Sequence, residues 1–379
     1  MRVLVWQWGR FGGAPRFAVH LAEGLADLPD TEVSLSLARG AEILRDSPAI
    51  HCDLAVDTYA SVAGFLWRLA TAPFAIAALA RRVAALRPDI AICAQPGPLD
   101  LLMAAALRRS RIPFVVLVHD ADAHPGDGFP LQMWLQRRLC GRANAVAALT
   151  AHVGDRLLAQ KLAGTPGRKL IRLTHPPMRY SFAPRESEAG TFRLLSFGRL
   201  LPYKGLGLLA ETLTRLGPRP GLTVRVVGSG PESRELAALR ALPGVIVENR
   251  WVPETEVGSL FSWADAVVLP YREASQSGVA AVALAAHRYV IATNVGGLAE
   301  QLRDEPMAIL CEPDAASLTS GLRRVLDRPP RETPVTMTDT ASGWREMAKS
   351  LVDQIDTLGL SGGVTASRDT SLSFRHGRA

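Results

Sequence analysis

Arg199 and Lys204 stand five residues apart in the stretch Phe192–Gly205, FRLLSFGRLLPYKG, and are the two side chains best suited to hold a charged ligand. Phe192, Leu194, Leu195 and Phe197 form a strand-like apolar run, Gly198 frees the backbone to turn, and Leu206, Leu208, Leu209, Leu213 and Leu216 repeat at helical spacing. The pattern reads as strand, basic loop, helix. It puts two cations at a helix N-terminus, where unpaired amides and the positive end of the helix dipole already favour an anion. A fixed guanidinium fork beside a flexible ammonium would hold a diphosphate better than amides alone. A solvated basic loop has the same composition, but two cations among Gly198 and Gly205 at a strand-to-helix turn favour phosphate.

The rest of the chain supplies a scaffold for such a turn. Val3–Trp8, Val33–Leu37, Ile90–Ala94, Phe114–Val118 and Ala145–Leu149 are apolar runs separated by helical patterns, as in a doubly wound parallel sheet. Leu194–Phe197, Thr223–Val227, Val245–Glu248, Ala266–Leu269, Val290–Thr293 and Ala308–Leu310 repeat the rhythm. The expected layout is an N-terminal domain over 1–180 and a C-terminal domain over 190–335, joined by the Pro-rich linker 174–190. A helix over 342–358 is expected to pack back on the first domain, and 360–379 to be a disordered tail. In parallel sheets ligands bind beyond the carboxyl ends of the strands. The unusual residues fall there: Gly9, Gly12 and Gly13, then HDADAHPG with His119, Asp120 and His124, then GSGPES, then PYREASQSGV.

Composition narrows the classes. The 379 residues are 48% hydrophobic and 21% charged, an ordinary soluble balance with length for two domains. Cys52, Cys93, Cys140 and Cys311 show no metal-ligand spacing, which fits a reducing cytoplasm. The run MRVLVWQWG is too short for a signal peptide, and the uncharged stretch Leu69–Ala80 is too short to span a bilayer and reads as a buried or interfacial helix. The net charge of +7 lies entirely in residues 1–180, with 21 Lys and Arg against 14 Asp and Glu, while the remainder holds 22 of each. Arg81, Arg82 and Arg87, Arg108, Arg109 and Arg111, and Arg137, Arg138 and Arg142 accompany Phe65, Trp67, Phe74 and Trp134 on helical patterns. Such faces suit an anionic membrane or a pyrophosphate-bearing lipid, and single clusters also suit solvated helix ends. Aromatics at 6% and no recognised motif argue against nucleic acid.

GRLLPYKG, VVGSGPE, WADAVVLPY, SQSGV and ATNVGGLAEQL, in that order and at those separations, resemble the retaining glycosyltransferases of family four. The resemblance covers most of residues 1–358. It implies an α/β GT-B fold, two facing Rossmann-like domains with an interdomain cleft, the acceptor bound by the domain over 1–180 and the donor by the domain over 190–335, and a nucleoside-diphosphate sugar as donor substrate, with no cofactor. It makes Arg199 and Lys204 diphosphate ligands, the pair the residues themselves point to. It also implies donor contacts at Gly198, Gly228 and Gly230, at Trp251 and Val252 beside the nucleobase, at Ser277, Gly278 and Val279 beside the phosphates, and at the Gly12–Gly13 pair. His119 matches a histidine near the donor hexose, and Asp120 and His124 fall on the acceptor side.

The chain departs from the family at the Glu-x7-Glu motif, whose first carboxylate orients the sugar and whose second binds the ribose. Those positions fall at Ala274 or Ser275 and at Val282 or Ala283. Glu273 is close enough to replace the first, and Glu300 is the other carboxylate near the cleft; both also suit a surface or capping role. His119, Asp120 and His124 are metal-ligand types, but no fourth ligand is evident and two cations already face the diphosphate, so no metal is expected. The expectation is a retaining hexosyltransferase acting on a glycan or polyprenyl-diphosphate-linked acceptor in cell-surface polysaccharide assembly, cytoplasmic and peripheral on the inner face of the membrane. The rivals are a catalytically silent nucleotide-sugar-binding subunit and a nucleotide-sugar epimerase.

Overall fold

A computed structural model of the chain describes residues 1–127, 131–183, 190–327 and 340–360. Two six-stranded, wholly parallel sheets organise it. The first holds β1 (Arg2–Gln7), β2 (Glu32–Leu37), β3 (Ile90–Cys93), β4 (Phe114–Val118), β5 (Ala145–Ala148) and β6 (Lys169–Arg172), in the order β2-β1-β3-β4-β5-β6. The second holds β7 (Phe192–Phe197), β8 (Leu222–Gly228), β9 (Val245–Asn249), β10 (Ala266–Leu269), β11 (Tyr289–Thr293) and β12 (Ala308–Cys311), in the order β12-β11-β10-β7-β8-β9.

Side chains alternate across a strand, so each sheet must be covered twice. Val3 and Val5 of β1 pack with Phe17, Leu21 and Leu25 of the helix Gly13–Ala26, whereas Leu4 and Trp6 pack with Leu79, Val83, Met103 and Leu107 on the opposite face. In the second sheet Leu194, Val224 and Val226 bury against the helix Leu206–Leu216, and Leu195 and Val227 join the cluster that continues into the first domain. The helix Thr340–Thr357 returns to the first domain: Trp344 is fully buried, lies 5.0 Å from Phe17, and donates its indole N–H to Pro177 O at 2.8 Å. Gly24 permits that approach, since a Cβ there would stand 2.5 Å from the Trp344 carbonyl oxygen.

Two features differ from the sequence expectation. The edge strand β6, KLIR, escapes it because only Ile171 is buried, leaving almost no hydrophobic alternation to read. The Leu69–Ala80 stretch, expected as one buried or interfacial helix, is divided between the helices Val62–Ala70 and Ala72–Leu86, which meet at a 77° bend, and no residue of the first is buried. Among the described residues no single helix is long and apolar enough to cross a membrane. The tail expected over 360–379 lies outside the described residues from 361 onward, as does the end of the second domain over 328–335.

Candidate active site

Loops that follow the strands of both sheets enclose a cavity of about 510 Å³. Phe11, Gly12 and Gly13 reach it after β1, His119 after β4, Gly198 and Arg199 after β7, Gly228 after β8, Trp251 and Val252 after β9, and Gln276, Gly278 and Val279 after β10. This is the carboxyl-end placement that parallel sheets favour.

The basic turn is held closed by glycine. A Cβ on Gly228 would stand 1.7 Å from the Gly198 carbonyl oxygen, and one on Gly205 would stand 1.7 Å from Pro270 O with φ at +73°. β7 and β8 therefore approach closely where they open toward the cavity. Lys204 places its Nζ 3.7 Å from the Tyr271 ring centroid and 4.8 Å from that of Tyr203. Two aromatic faces hold the ammonium by cation–π attraction, and Lys204 has no carboxylate partner among the described residues. Arg199 donates to Asp127 through Nη1 and to the Tyr203 hydroxyl through Nη2 at 2.9 Å. Its fork is thus already occupied by an anion from the first domain, a contact that sequence reasoning missed.

Opposite that turn, Ser277 caps the helix Gly278–Ala285 by accepting from Ala280 N at 3.1 Å. Ser277 N itself donates to Gln301 Oε1 at 2.9 Å. The Ser277 amide is therefore spent inside the protein, while Gly278 and Val279 line the cavity at the first helical turn, where amides lack intrahelical acceptors. Trp251 packs edge to face against Phe11 at 5.7 Å and lies 3.4 Å from Glu42 Oε1 through its indole N–H, closing one end across the two domains.

His119 is buried at the domain boundary. Its Nε2 donates to Ala94 O at 2.9 Å, so Nδ1 carries a lone pair and accepts from Gln276 Nε2 at 2.7 Å. Burial lowers its pKa and keeps the ring neutral, consistent with that tautomer. Gln276 Oε1 is buried and has no partner among the described residues. Gln276 was not singled out from sequence, because only the fold brings it to His119. Nearby His175, driven down to about 4 by burial, is also neutral.

Three expected site residues, Glu273, Glu300 and Gly230, stand outside the cavity wall. Glu273 is half exposed, outside the cavity wall, with Oε2 3.5 Å from His124 Nδ1. Glu300 accepts from Ala151 N at 2.6 Å and His152 N at 3.2 Å, capping a helix of the first domain instead of facing a ligand. Gly230 makes room for Leu200 O, which a Cβ would approach to 2.2 Å, and is not part of the wall. Val282 lines the cavity where the second motif carboxylate would fall. The carboxylate on the wall is Glu254, whose Oε2 accepts from Arg16 Nε at 2.5 Å and Tyr180 OH at 3.0 Å.

Asp120 and His124 line a smaller adjoining cavity that shares Gln95 and His119 with the first. His124 Nε2 lies 3.1 Å from Asp120 Oδ1, and its ring stacks on Tyr203 at 4.6 Å. The hydrogen bond to Asp120 raises the His124 pKa. A raised histidine pKa contributes stability that is complete below the unfolded value of about 6.5 and lost as pH rises through the folded value. His124→Asn should therefore lower the melting temperature most below about pH 6, the difference from wild type shrinking in alkaline buffer. An equal difference at every pH would show that stacking, not charge, holds His124. Among the described residues no cluster of three or more His, Cys, Asp or Glu side chains is arranged to hold a metal.

Comparison with known proteins places this cleft in a family. Residues 11–168 match the model described as Glycosyltransferase Family 4, and residues 191–328 match that of Glycosyl transferases group 1. A glycogen synthase of Mycobacterium tuberculosis is 28% identical over 233 residues, 58% of this chain and 55% of that protein. The chain thus matches only about half the length of that relative. The Anabaena protein HepE, solved in complex with UDP and glucose, superposes with a TM-score of 0.64 at 18% identity, covering 95% of this chain and 99% of that one. A UDP-GlcNAc 2-epimerase from Neisseria meningitidis superposes with a TM-score of 0.57 at 10% identity, covering 94% and 100%. At such identities the superpositions speak for the fold alone, which transferases and epimerases share. The two family matches, one on each domain, identify the chain as a family-4-type glycosyltransferase with the GT-B fold.

Proposed function

We propose that the chain moves a hexosyl unit from a nucleoside-diphosphate sugar to a hydroxyl of a glycan or lipid-linked acceptor with retention, peripherally on the cytoplasmic face of the membrane in cell-surface polysaccharide assembly. The observation that carries this reading is Arg199 and Lys204 on the wall of a cavity of about 510 Å³ that also contains the first turn of the helix Gly278–Ala285. Cations and helix-terminal amides facing one space suit a diphosphate.

In this reading the nucleobase lies by Trp251 and Val252, and the diphosphate lies between Lys204, Arg199 and the first-turn amides of Gly278 and Val279. Arg199 exchanges Asp127 for a phosphate oxygen. The hexose extends toward His119 and Gln276, whose buried Oε1 is suited to accept a sugar hydroxyl. A departing phosphate oxygen takes the acceptor proton on the same face, so the protein positions reactants and stabilises leaving-group charge. Because fixed cations offset that charge, turnover should survive EDTA; activity lost in EDTA and restored by Mg or Mn would assign that task to a metal.

A second reading, a silent nucleotide-sugar-binding subunit, draws on Glu254 being tied to Arg16 and Tyr180. The same tie leaves an epimerase without a free carboxylate base on this wall among the described residues. Incubation with UDP-, GDP- and ADP-sugars and polyprenyl-diphosphate-linked acceptors distinguishes these. Transfer predicts acceptor-dependent release of one nucleoside diphosphate and a product of the donor's anomeric configuration. Binding without release supports the silent subunit, and an inverted product refutes retention.

A further inference from the structure

The first domain carries an apolar surface that none of the described residues covers. On the helices Val62–Ala70 and Ala72–Leu86, Val62 is 76% exposed, Leu66 58%, Trp67 68% and Phe74 81%. Residues 62–86 contain no Asp or Glu but carry Arg68, Arg81 and Arg82. Beside them runs an open groove of about 600 Å³, with Ile76, Leu101 and Leu102 on its apolar wall and Arg108, Arg109 and Arg142 at its edge. None of these six arginines pairs with a carboxylate among the described residues.

We propose that this helix pair and its arginine-edged groove dock the chain onto an anionic phospholipid bilayer, with Trp67 and Phe74 entering the interface and the arginines contacting lipid phosphates. The inference rests on the membrane part of the proposed function and assigns that contact to one surface. At nine residues, roughly 13 Å by the helical rise, the first helix is far too short to span a bilayer. The 77° turn between the two helices likewise suits lying along the interface rather than crossing it. Exposed aromatics beside cations that lack acidic partners match the boundary of an anionic leaflet, where apolar burial and phosphate attraction act together. A second copy is a poorer occupant, since a two-fold contact would set the same arginines against themselves. The chain's own segment 361–379 is also basic, with Arg368, Arg375 and Arg378 against Asp369.

The test is flotation of the full chain with phosphatidylcholine vesicles, with and without phosphatidylglycerol. Wild type should float with the anionic vesicles only, and salt should weaken the binding. Trp67→Ser combined with Phe74→Ser, and separately Arg108→Gln combined with Arg142→Gln, should each reduce vesicle binding by about tenfold or more while leaving the melting temperature unchanged. A wild type that floats while both double variants float equally well refutes this surface and leaves the membrane reading standing. A wild type that does not float refutes both. A dimer in solution that Trp67→Ser with Phe74→Ser converts to monomer would give the surface to a second copy instead.

Discussion

Replacing Lys204 with alanine is expected to lower kcat by about a hundredfold or more under saturating donor, the usual loss when one donor to transition-state charge is removed. The ammonium is held 3.7 Å from the Tyr271 ring centroid and has no carboxylate partner among the described residues, so its charge is available to the leaving diphosphate. Lys204→Arg should not restore the rate, because a planar guanidinium does not occupy the space between two tyrosine rings as a compact ammonium does. Turnover of Lys204→Ala within a few-fold of wild type would move the phosphate site elsewhere.

Gly228→Ala is expected to remove donor binding and to cost on the order of 3 kcal/mol of stability. The added methyl would meet the Gly198 carbonyl oxygen at 1.7 Å and its carbon at 2.7 Å, and both are backbone atoms that cannot rotate away. Relief requires β7 and β8 to part where they present Arg199, and displacement of a catalytic group by about 1 Å commonly costs two orders of magnitude in rate. Thermal unfolding and calorimetric titration with UDP and GDP read the two effects separately. A variant with wild-type stability and nucleotide affinity would show that the turn does not need this close approach.

The basic turn was legible in sequence because its strand, glycines, cations and helix lie within one short segment, where periodicity and residue type suffice. The residues that shape the remainder of the cleft carry no such local signal. Gln276 meets His119 across 157 residues, and Arg16 meets Glu254 across 238. Only the facing of two sheets brings either pair together. Glu300 was read toward the cleft because a carboxylate in a Gly-rich helical start suits a ligand or a cap equally. The fold decides for the cap, on a helix of the other domain. Glu273 directly precedes the phosphate loop in sequence, yet the turn after β10 carries it outward to His124, while Gln276 points inward. The apolar runs identify eleven of the twelve strands found among the described residues, and the one missed is an edge, where burial imposes the least pattern.

The central claim is that a nucleoside diphosphate occupies the interdomain cavity between the Arg199–Lys204 turn and the start of the helix Gly278–Ala285. Amide hydrogen exchange, measured with and without saturating UDP or GDP, tests it most directly. The account predicts protection by at least one nucleotide over residues 198–206, 251–254 and 277–283, with the sheet interiors unchanged. Protection confined to other surfaces, or none with either nucleotide, would contradict it.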